Sequence, residues 1–434
     1  MDSSIGGITP GTGTPMPPGR QGGLSKFLPA RRTFRSLTNP VFRLYFFGTL
    51  CSMGSMNMQM IARSLLIWRL TESGTILGLM FLAHAGPTLA LSLFGGVIAD
   101  RLQKKYVMII GQSCSAIISF GIAICLTTGY LSTEIAGSWW VLVVASVFQG
   151  IIMALMMPSR QAYVPEIVGG EELMNAIALN SMGMNLLRLF APAAAGFLID
   201  AVGFEAVYYV TTGTYVLSVV FITFLPLTSK TPVRRVSAIA NIKEGIKYLR
   251  GETTILFVLG FSLIIAVLSM PFQMLMPVFT ETVFDVGARG YGVLMSVSGA
   301  GAMAGSLVLA SLPNKKRGLM LLVSGVFLGV ALMAFSFSEI WALSIFLVIF
   351  VGIGQQGHMT LSMTLIQYYV EDEYRGRVMS IMMMQFGLVS FGAFIGGMLT
   401  DAFGIQWAIG GFAMVLSLLS VLALLFIKRI RNLD

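Results

Sequence analysis

A single arginine stands in the middle of a long apolar run at residues 174–200. A cation in the hydrocarbon of a bilayer is costly, so Arg188 is a candidate functional residue if this run crosses a membrane. Asn185 precedes it by three positions and therefore shares its helix face. Two interpretations stay open. Arg188 has a functional role, as an anchor for an anionic group of a ligand or as a charge that moves during a conformational cycle, or helix carbonyls and amides satisfy it where helices meet.

Both histidines of the sequence also fall inside apolar runs. Histidine titrates near neutral pH, so one hypothesis for His84 and His358 is that they carry a coupled proton. The alternative is a packing or hydrogen-bonding role. Amide side chains at similar depths are candidates for orienting hydrogen bonds in a central cavity: Asn57, Gln59, Gln149, Gln273, Gln355 and Gln356.

The apolar runs lack the usual groups of an enzyme. No aspartate or glutamate lies deep in them, and they contain no Ser/His/Asp set and no metal-ligand spacing. The three cysteines lack metal-ligand spacing and are predicted to be small core residues. We therefore expect no enzymatic activity, no metal and no cofactor, with proton coupling left open.

The elements that must position these groups are membrane helices. Hydrophobic residues make up 56% of the 434 positions and charged residues only 11%, whereas soluble domains carry roughly 25% charged residues. Twelve runs are long enough to cross a bilayer. We number these spans one to twelve: 43–67, 74–99, 106–130, 138–158, 174–200, 204–227, 254–283, 290–312, 318–337, 339–366, 376–402 and 405–428.

The basic residues predict the orientation of these spans. Of the 28 lysines and arginines, 24 fall on the side that holds both termini. Only Arg63, Arg69 and Arg289 are assigned to the opposite side. The positive-inside rule therefore places both termini in the cytoplasm. This distribution also explains the net charge of +9 without a nucleic-acid partner.

The sequence divides into two similar halves. Residues 37–227 and 254–428 each hold six spans, and both contain a Gly-x-x-x-Asp-x-x-Gly motif, at 196–203 and 397–404. The segment between them, 228–253, has an amphipathic pattern typical of a helix on the cytoplasmic membrane surface. Two flanking segments complete the division, a disordered basic leader and a cytoplasmic tail: 1–36 and 429–434.

A short basic motif separates spans two and three. It consists of Gly96, Asp100, Arg101, Lys104 and Lys105 and resembles the signature loop between helices 2 and 3 of the major facilitator superfamily. The resemblance implies two six-helix halves that rock about a central cavity. We interpret the motif as a gate at the inner mouth, where the aspartate meets a helix N-terminus or a cation of the other half.

Further stretches resemble the branch of that superfamily that includes enterobactin exporters and transmembrane secretion effectors. They include residues 54–62, 158–165 and 287–305. Two positions depart from patterns of proton-coupled drug antiporters. Ser146 stands where those proteins often have an arginine, and the Gly-Pro-x-x-Gly-Gly motif is replaced by Ala-Pro-Ala-Ala-Ala-Gly at 191–196. These departures weaken the case for obligatory proton antiport.

The residues and the resemblance together predict an all-α membrane protein with twelve transmembrane helices in two pseudo-symmetric halves. We expect a secondary active transporter that exports small amphipathic molecules, such as drugs or siderophores, by alternating access. Alternatives on the same fold are a lipid or lysolipid flippase and a non-transporting receptor or scaffold. The expected setting is a monomer among the lipids of a prokaryotic plasma membrane.

Overall fold

The computed structural model describes residues 34–227, 238–313 and 315–433, and these residues form helices with no β-strand. Ten helices are long and apolar enough to cross a membrane, and a shorter apolar helix covers Gly387–Phe403. The 32-residue helix Pro40–Thr71 is the first of twelve. The chain is thus an all-α membrane protein of twelve transmembrane helices, as the sequence predicts.

The first half contains six continuous helices. A side-chain cap from Asn39, which accepts from the amides of Val41 and Phe42, begins the first of them. Spans one to six cover Pro40–Thr71, Gly74–Arg101, Lys104–Thr127, Trp140–Ile167, Gly170–Val202 and Phe204–Thr223.

The second half contains two interrupted helices. Span seven breaks beside Pro271 and Pro277, which lack the amide hydrogen that a continuous helix needs. It comprises Thr253–Ser269, Pro271–Met274, Met276–Val278 and the π-helical turn Phe279–Val283. Span eleven is divided into Asp372–Met383 and Gln385–Phe403, and the other spans are Gly287–Ser311, Arg317–Ser336, Trp341–Tyr369 and Ile405–Phe426.

Helix pairing repeats between the halves. Span two packs on span four and span three on span six, as span eight packs on span ten and span nine on span twelve. Across the halves, span two packs on span eleven and span five on span eight. Each half therefore offers the same two helices to its partner, as expected for a pseudo-twofold axis along the membrane normal.

Glycine allows the closest of these contacts. A Cβ atom at Gly150 of span four would lie 2.2 Å from the carbonyl oxygen of His84 in span two. A Cβ at Gly292 of span eight would lie 2.5 Å from the carbonyl oxygen of Pro192 in span five. Both helix pairs approach backbone to backbone, which is how small residues promote helix association in membranes.

The helix Ala238–Gly251 lies between the halves in the chain, and its described side chains pack on the first segment of span eleven. Tyr248 stacks on Tyr374 with ring centroids 4.3 Å apart, and Glu244 lies 2.8 Å from the guanidinium of Arg377. The predicted surface helix thus has a protein partner on one side. The predicted leader lies outside the described residues up to position 33.

Candidate functional site

A small cavity of about 30 Å³ lies between the two halves. Span five contributes Arg188 to its wall. Span ten contributes Gln355, Gln356 and His358, and span eleven contributes Gln385 at the break between its two segments. The remaining wall is formed largely by Ala266, Ser269, Met270 and Met359. We call this space the central cavity. In this conformation it has room for only one or two waters.

Arg188 is the cation of the central cavity. The residue is exposed, and it borders the cavity. Among the described residues no carboxylate forms an ion pair with it, since the described pairs involve other cations. Asn185, one turn earlier, is also exposed. The cavity therefore has an uncompensated positive charge near polar amides.

Hydrogen bonds hold the amides of the second half in place. Gln273 donates through Nε2 to Oε1 of Gln355 at 2.7 Å, which joins span seven to span ten. Gln356 donates to the hydroxyl of Thr360 at 3.1 Å. His358 is 6% exposed, and its Nδ1 lies 3.3 Å from the Ser362 hydroxyl. Of the predicted residues of spans seven and ten, Gln355, Gln356 and His358 thus line the central cavity, and Gln273 is bonded to the first of them.

The predicted residues of the first half have other surroundings. Gln59 is buried and accepts a hydrogen bond from Tyr215 of span six at 3.4 Å. His84 lies with Nδ1 3.3 Å from the carbonyl oxygen of Ser146. Gln149 accepts from Ser115 at 3.4 Å. All three face neighbouring helices of their own half and do not line the central cavity.

Asn57 has a different role again. Its amide nitrogen donates to the carbonyl oxygen of Met53 at 2.8 Å, one turn back on the same helix. This hydrogen bond is local to span one. The side chain is only partly accessible, and it does not line the central cavity.

Two arginines that the sequence assigned to the membrane surfaces lie inside the first half. Arg63 is in span one, where its Nε has no hydrogen-bond partner among the described residues. Arg160 is in span four, which continues to Ile167 rather than ending near residue 158. It is 6% exposed and donates through Nη2 to the Ser52 hydroxyl at 2.7 Å. These interior cations are a correction to the surface assignment of Arg63 and Arg160.

A signal for these two arginines was present in the sequence. Ser52, Gln59 and Arg63 are spaced i, i+7 and i+11, which places them on one face of a helix. A polar stripe of that length inside an apolar run indicates a polar partner surface rather than a helix end. The lengths of the apolar runs by themselves do not reveal this polar stripe.

The basic motif is partly described. Lys104 is buried, and its Nζ lies 2.5 Å from Oε1 of Glu166 near the end of span four. This ion pair joins the start of span three to span four. Lys105 is half-buried. The structure gives the backbone of Gly96, Asp100 and Arg101 as helix, and their side chains lie outside the described residues; the gate role of Asp100 stays a prediction.

Ordered contacts close the end of the bundle opposite the termini, which we call the outer end. Asp401 of span eleven accepts hydrogen bonds from the backbone amides of Gly74 and Thr75 at 2.6 and 2.9 Å, and from the Ser73 hydroxyl at 2.8 Å. The carboxylate thereby caps the N-terminus of span two, where the helix dipole favours negative charge.

A second link closes the same end. Arg69 of span one pairs with Glu281 of span seven at 2.8 Å, and its guanidinium lies over the ring of Phe204. Both links join one half of the chain to the other. The central cavity is therefore shut off at the outer end.

Comparison with known proteins identifies the family. A model of the Major Facilitator Superfamily matches residues 45–390 and 314–432. The staphyloferrin A transporter of Staphylococcus aureus (strain NCTC 8325 / PS 47) is 28% identical over 341 residues, covering 77% of this chain and 83% of that protein. The enterobactin exporter EntS of Escherichia coli O1:K1 / APEC is 25% identical over 415 residues, covering 91% and 94%.

Solved structures share the fold at lower identity. A bacterial homologue of the human lysosomal transporter Spinster, inward-facing and unoccupied, superposes with a TM-score of 0.69 at 13% identity, covering 90% of this chain and 98% of that one. A D-xylose–proton symporter gives a TM-score of 0.68 at 13% identity, covering 88% and 96%. At this identity the likeness concerns the fold alone.

Proposed function

Because the chain belongs to the Major Facilitator Superfamily and is a transport protein rather than an enzyme, we propose that it exports a small amphipathic anion by alternating access. The observation that carries this proposal is the uncompensated cation at the central cavity. Arg188 borders that cavity, and no described carboxylate pairs with it. An anionic group of the substrate would supply the missing charge.

The rest of the cavity wall suits an amphipathic molecule. Amide side chains from spans ten and eleven offer both donors and acceptors, while Met270 and Met359 offer polarizable apolar surface. Flexible thioethers adapt to varied apolar shapes. A substrate with a carboxylate or catecholate group and an apolar body would use both kinds of surface.

The relatives support both the chemical class and the direction. One is named as a staphyloferrin A transporter and another as an enterobactin exporter. We therefore propose a siderophore or a similar anionic metabolite as substrate and outward movement across a bacterial inner membrane. With both termini in the cytoplasm, as the charge distribution predicts, the closed outer end would have to open for the substrate to leave.

Transport into inverted membrane vesicles tests this function. Anionic siderophores and neutral dyes of similar size are compared, with and without an imposed pH gradient. We expect uptake of the anions. Dependence on the gradient would indicate proton coupling, and uptake without it would indicate facilitated diffusion. Absence of anion uptake across the panel would refute the proposal.

Arg188→Gln tests the site itself. Loss of a hydrogen bond to a charged group costs about 1.5–3 kcal/mol, so anion affinity should fall roughly 10- to 150-fold. Affinity for neutral dyes should change little. Arg375→Gln is the matched control, because Arg375 pairs with Asp372 on its own helix and does not line the central cavity. Equal losses for anions and neutral dyes would assign Arg188 a structural role.

A further inference from the structure

A second polar cluster lies inside the first half, separate from the central cavity. It consists of Gln59 and Arg63 of span one, His84 of span two, and Tyr208 and Tyr215 of span six. The guanidinium of Arg63 lies near both phenols and near His84. None of these five residues lines the central cavity. We call them the first-half cluster.

The first-half cluster has more donors than acceptors. Nε of Arg63, Nε2 of Gln59 and the hydroxyl of Tyr208 have no hydrogen-bond partner among the described residues. The hydroxyl of Tyr215 already donates to Oε1 of Gln59. Buried polar groups are nearly always hydrogen-bonded. Three unpartnered groups in one cluster, two of which can only donate, therefore indicate an acceptor that is supplied from outside the chain.

The cluster also lacks negative charge. No carboxylate in the described part of the chain pairs with Arg63. His84 lies against the Ser146 carbonyl, an acceptor, so its Nδ1 donates and the ring contributes no negative charge. Tyr215 lies near a second cation, Arg160, as well as near Arg63.

The second cation, Arg160, increases the excess of positive charge near the first-half cluster. Nε and Nη1 of Arg160 are buried without a partner, and only its Nη2 donates, to Ser52. Uncompensated charges at membrane depth cost several kcal/mol each. Water could satisfy some of the donors but would leave both positive charges in place. The cluster therefore requires an anion rather than water alone.

We propose that the first-half cluster binds a small inorganic anion of the chloride class. Arg63 would supply the charge, and Gln59 and Tyr208 would donate their unpartnered hydrogens. The ion must be small, because Gln59 and Tyr208 are only 6% and 1% exposed, while Arg63 keeps part of its side chain accessible. The anion holds spans one and six together and is not transported.

Thermal unfolding of the purified full-length protein in lipid nanodiscs tests the proposal. Chloride replaces gluconate at constant ionic strength and pH, with no substrate present. Chloride should raise the unfolding midpoint of the wild-type protein in a saturable manner. Arg63→Gln should abolish this response. Arg69→Gln is the matched control, because it removes an arginine of the same helix that is already paired with Glu281; it should keep the response.

Tyr208→Phe covers the case in which Arg63→Gln does not fold. It removes only a hydroxyl that has no partner in the described structure, so the fold should tolerate it. If the hydroxyl donates to the anion, the half-saturating chloride concentration should rise about tenfold. An unchanged half-saturating concentration would overturn the proposal.

Two further results would overturn it. One is a wild-type midpoint that does not depend on chloride, which would leave water as the occupant. The other is a chloride response that persists in Arg63→Gln and disappears in Arg188→Gln, which would place the anion in the central cavity. Failure of siderophore transport would not affect either measurement, so this proposal and the proposed function are tested separately.

Discussion

Replacement of Asp401 by asparagine should open the outer end of the molecule. The carboxylate accepts three hydrogen bonds of 2.6–2.9 Å from the start of span two, two of them from backbone amides. Asparagine keeps one carbonyl oxygen but loses the negative charge and one acceptor. Its NH2 group would also point a donor at a backbone N–H. The closed outer end should therefore lose stability relative to the open one.

The size of the effect follows from these contacts. A hydrogen bond to a charged group contributes about 1.5–3 kcal/mol, and a carboxylate at a helix N-terminus about 0.3–1 kcal/mol. Asp401 is exposed, so solvent competes for it, and we count about 2 kcal/mol for the whole cap. Since 1.4 kcal/mol is a factor of ten, the population open at the outer end should rise about 30-fold.

Labelling of a cavity cysteine from outside measures this population. The three native cysteines are replaced, and Met359→Cys introduces a thiol at the central cavity. Intact cells are treated with a membrane-impermeant maleimide. The labelling rate should increase about 30-fold in Asp401→Asn, as long as labelling is slower than opening and closing. Expression of each variant is quantified in the same samples.

Asp200→Asn is the matched control. Asp200 occupies the same place as Asp401 in the repeated Gly-x-x-x-Asp-x-x-Gly motif. Its side chain is exposed, and the structure records no hydrogen bond or ion pair for it within the described residues. Its replacement should leave the labelling rate unchanged. Equal rates in the wild type and Asp401→Asn, or equal acceleration in both variants, would refute the assignment of the outer closure to this cap.

Two other contacts give predictions for stability. Gly150→Ala should sharply reduce the yield of folded protein, since its methyl group would lie 2.2 Å from the carbonyl oxygen of His84; a wild-type yield and unfolding midpoint would show that spans two and four can separate. Lys104→Met should lower the free energy of unfolding by about 1–3 kcal/mol, because it removes the ion pair between the buried Lys104 and Glu166. Chemical unfolding measures the loss, and Glu166→Gln combined with Lys104→Met should recover part of it.

Hydropathy and charge alone predicted the membrane fold. Each helix must satisfy its own backbone in lipid, so a run of apolar residues of sufficient length predicts a spanning helix without knowledge of its neighbours. The repeated motif at residues 196–203 and 397–404 likewise predicted two related halves. Span seven is interrupted beside Pro271 and Pro277, two residues that lack the amide hydrogen a continuous helix needs.

Hydropathy and charge, taken locally along the sequence, wrongly assigned two arginines to the membrane surfaces. Arg63 lies four residues before the predicted end of span one and Arg160 two residues after that of span four, and a charge near the end of a run predicts a surface position. The helices instead continue past both residues. Whether such a side chain faces lipid, water or another helix depends on residues far away in sequence, here Ser52 for Arg160 and the tyrosines of span six for Arg63.

The sequence by itself thus determined which segments cross the membrane and which polar residues they carry. Tertiary structure decided which of those residues meet. It separated Gln59 and His84 from Arg188, and it made Asp401 a helix cap while its repeat partner Asp200 makes no hydrogen bond within the described residues. The physical reason is the distance along the sequence over which each property is determined. Spanning a bilayer is a property of each helix alone, whereas hydrogen bonds and charge pairing depend on how helices rotate and pack against one another.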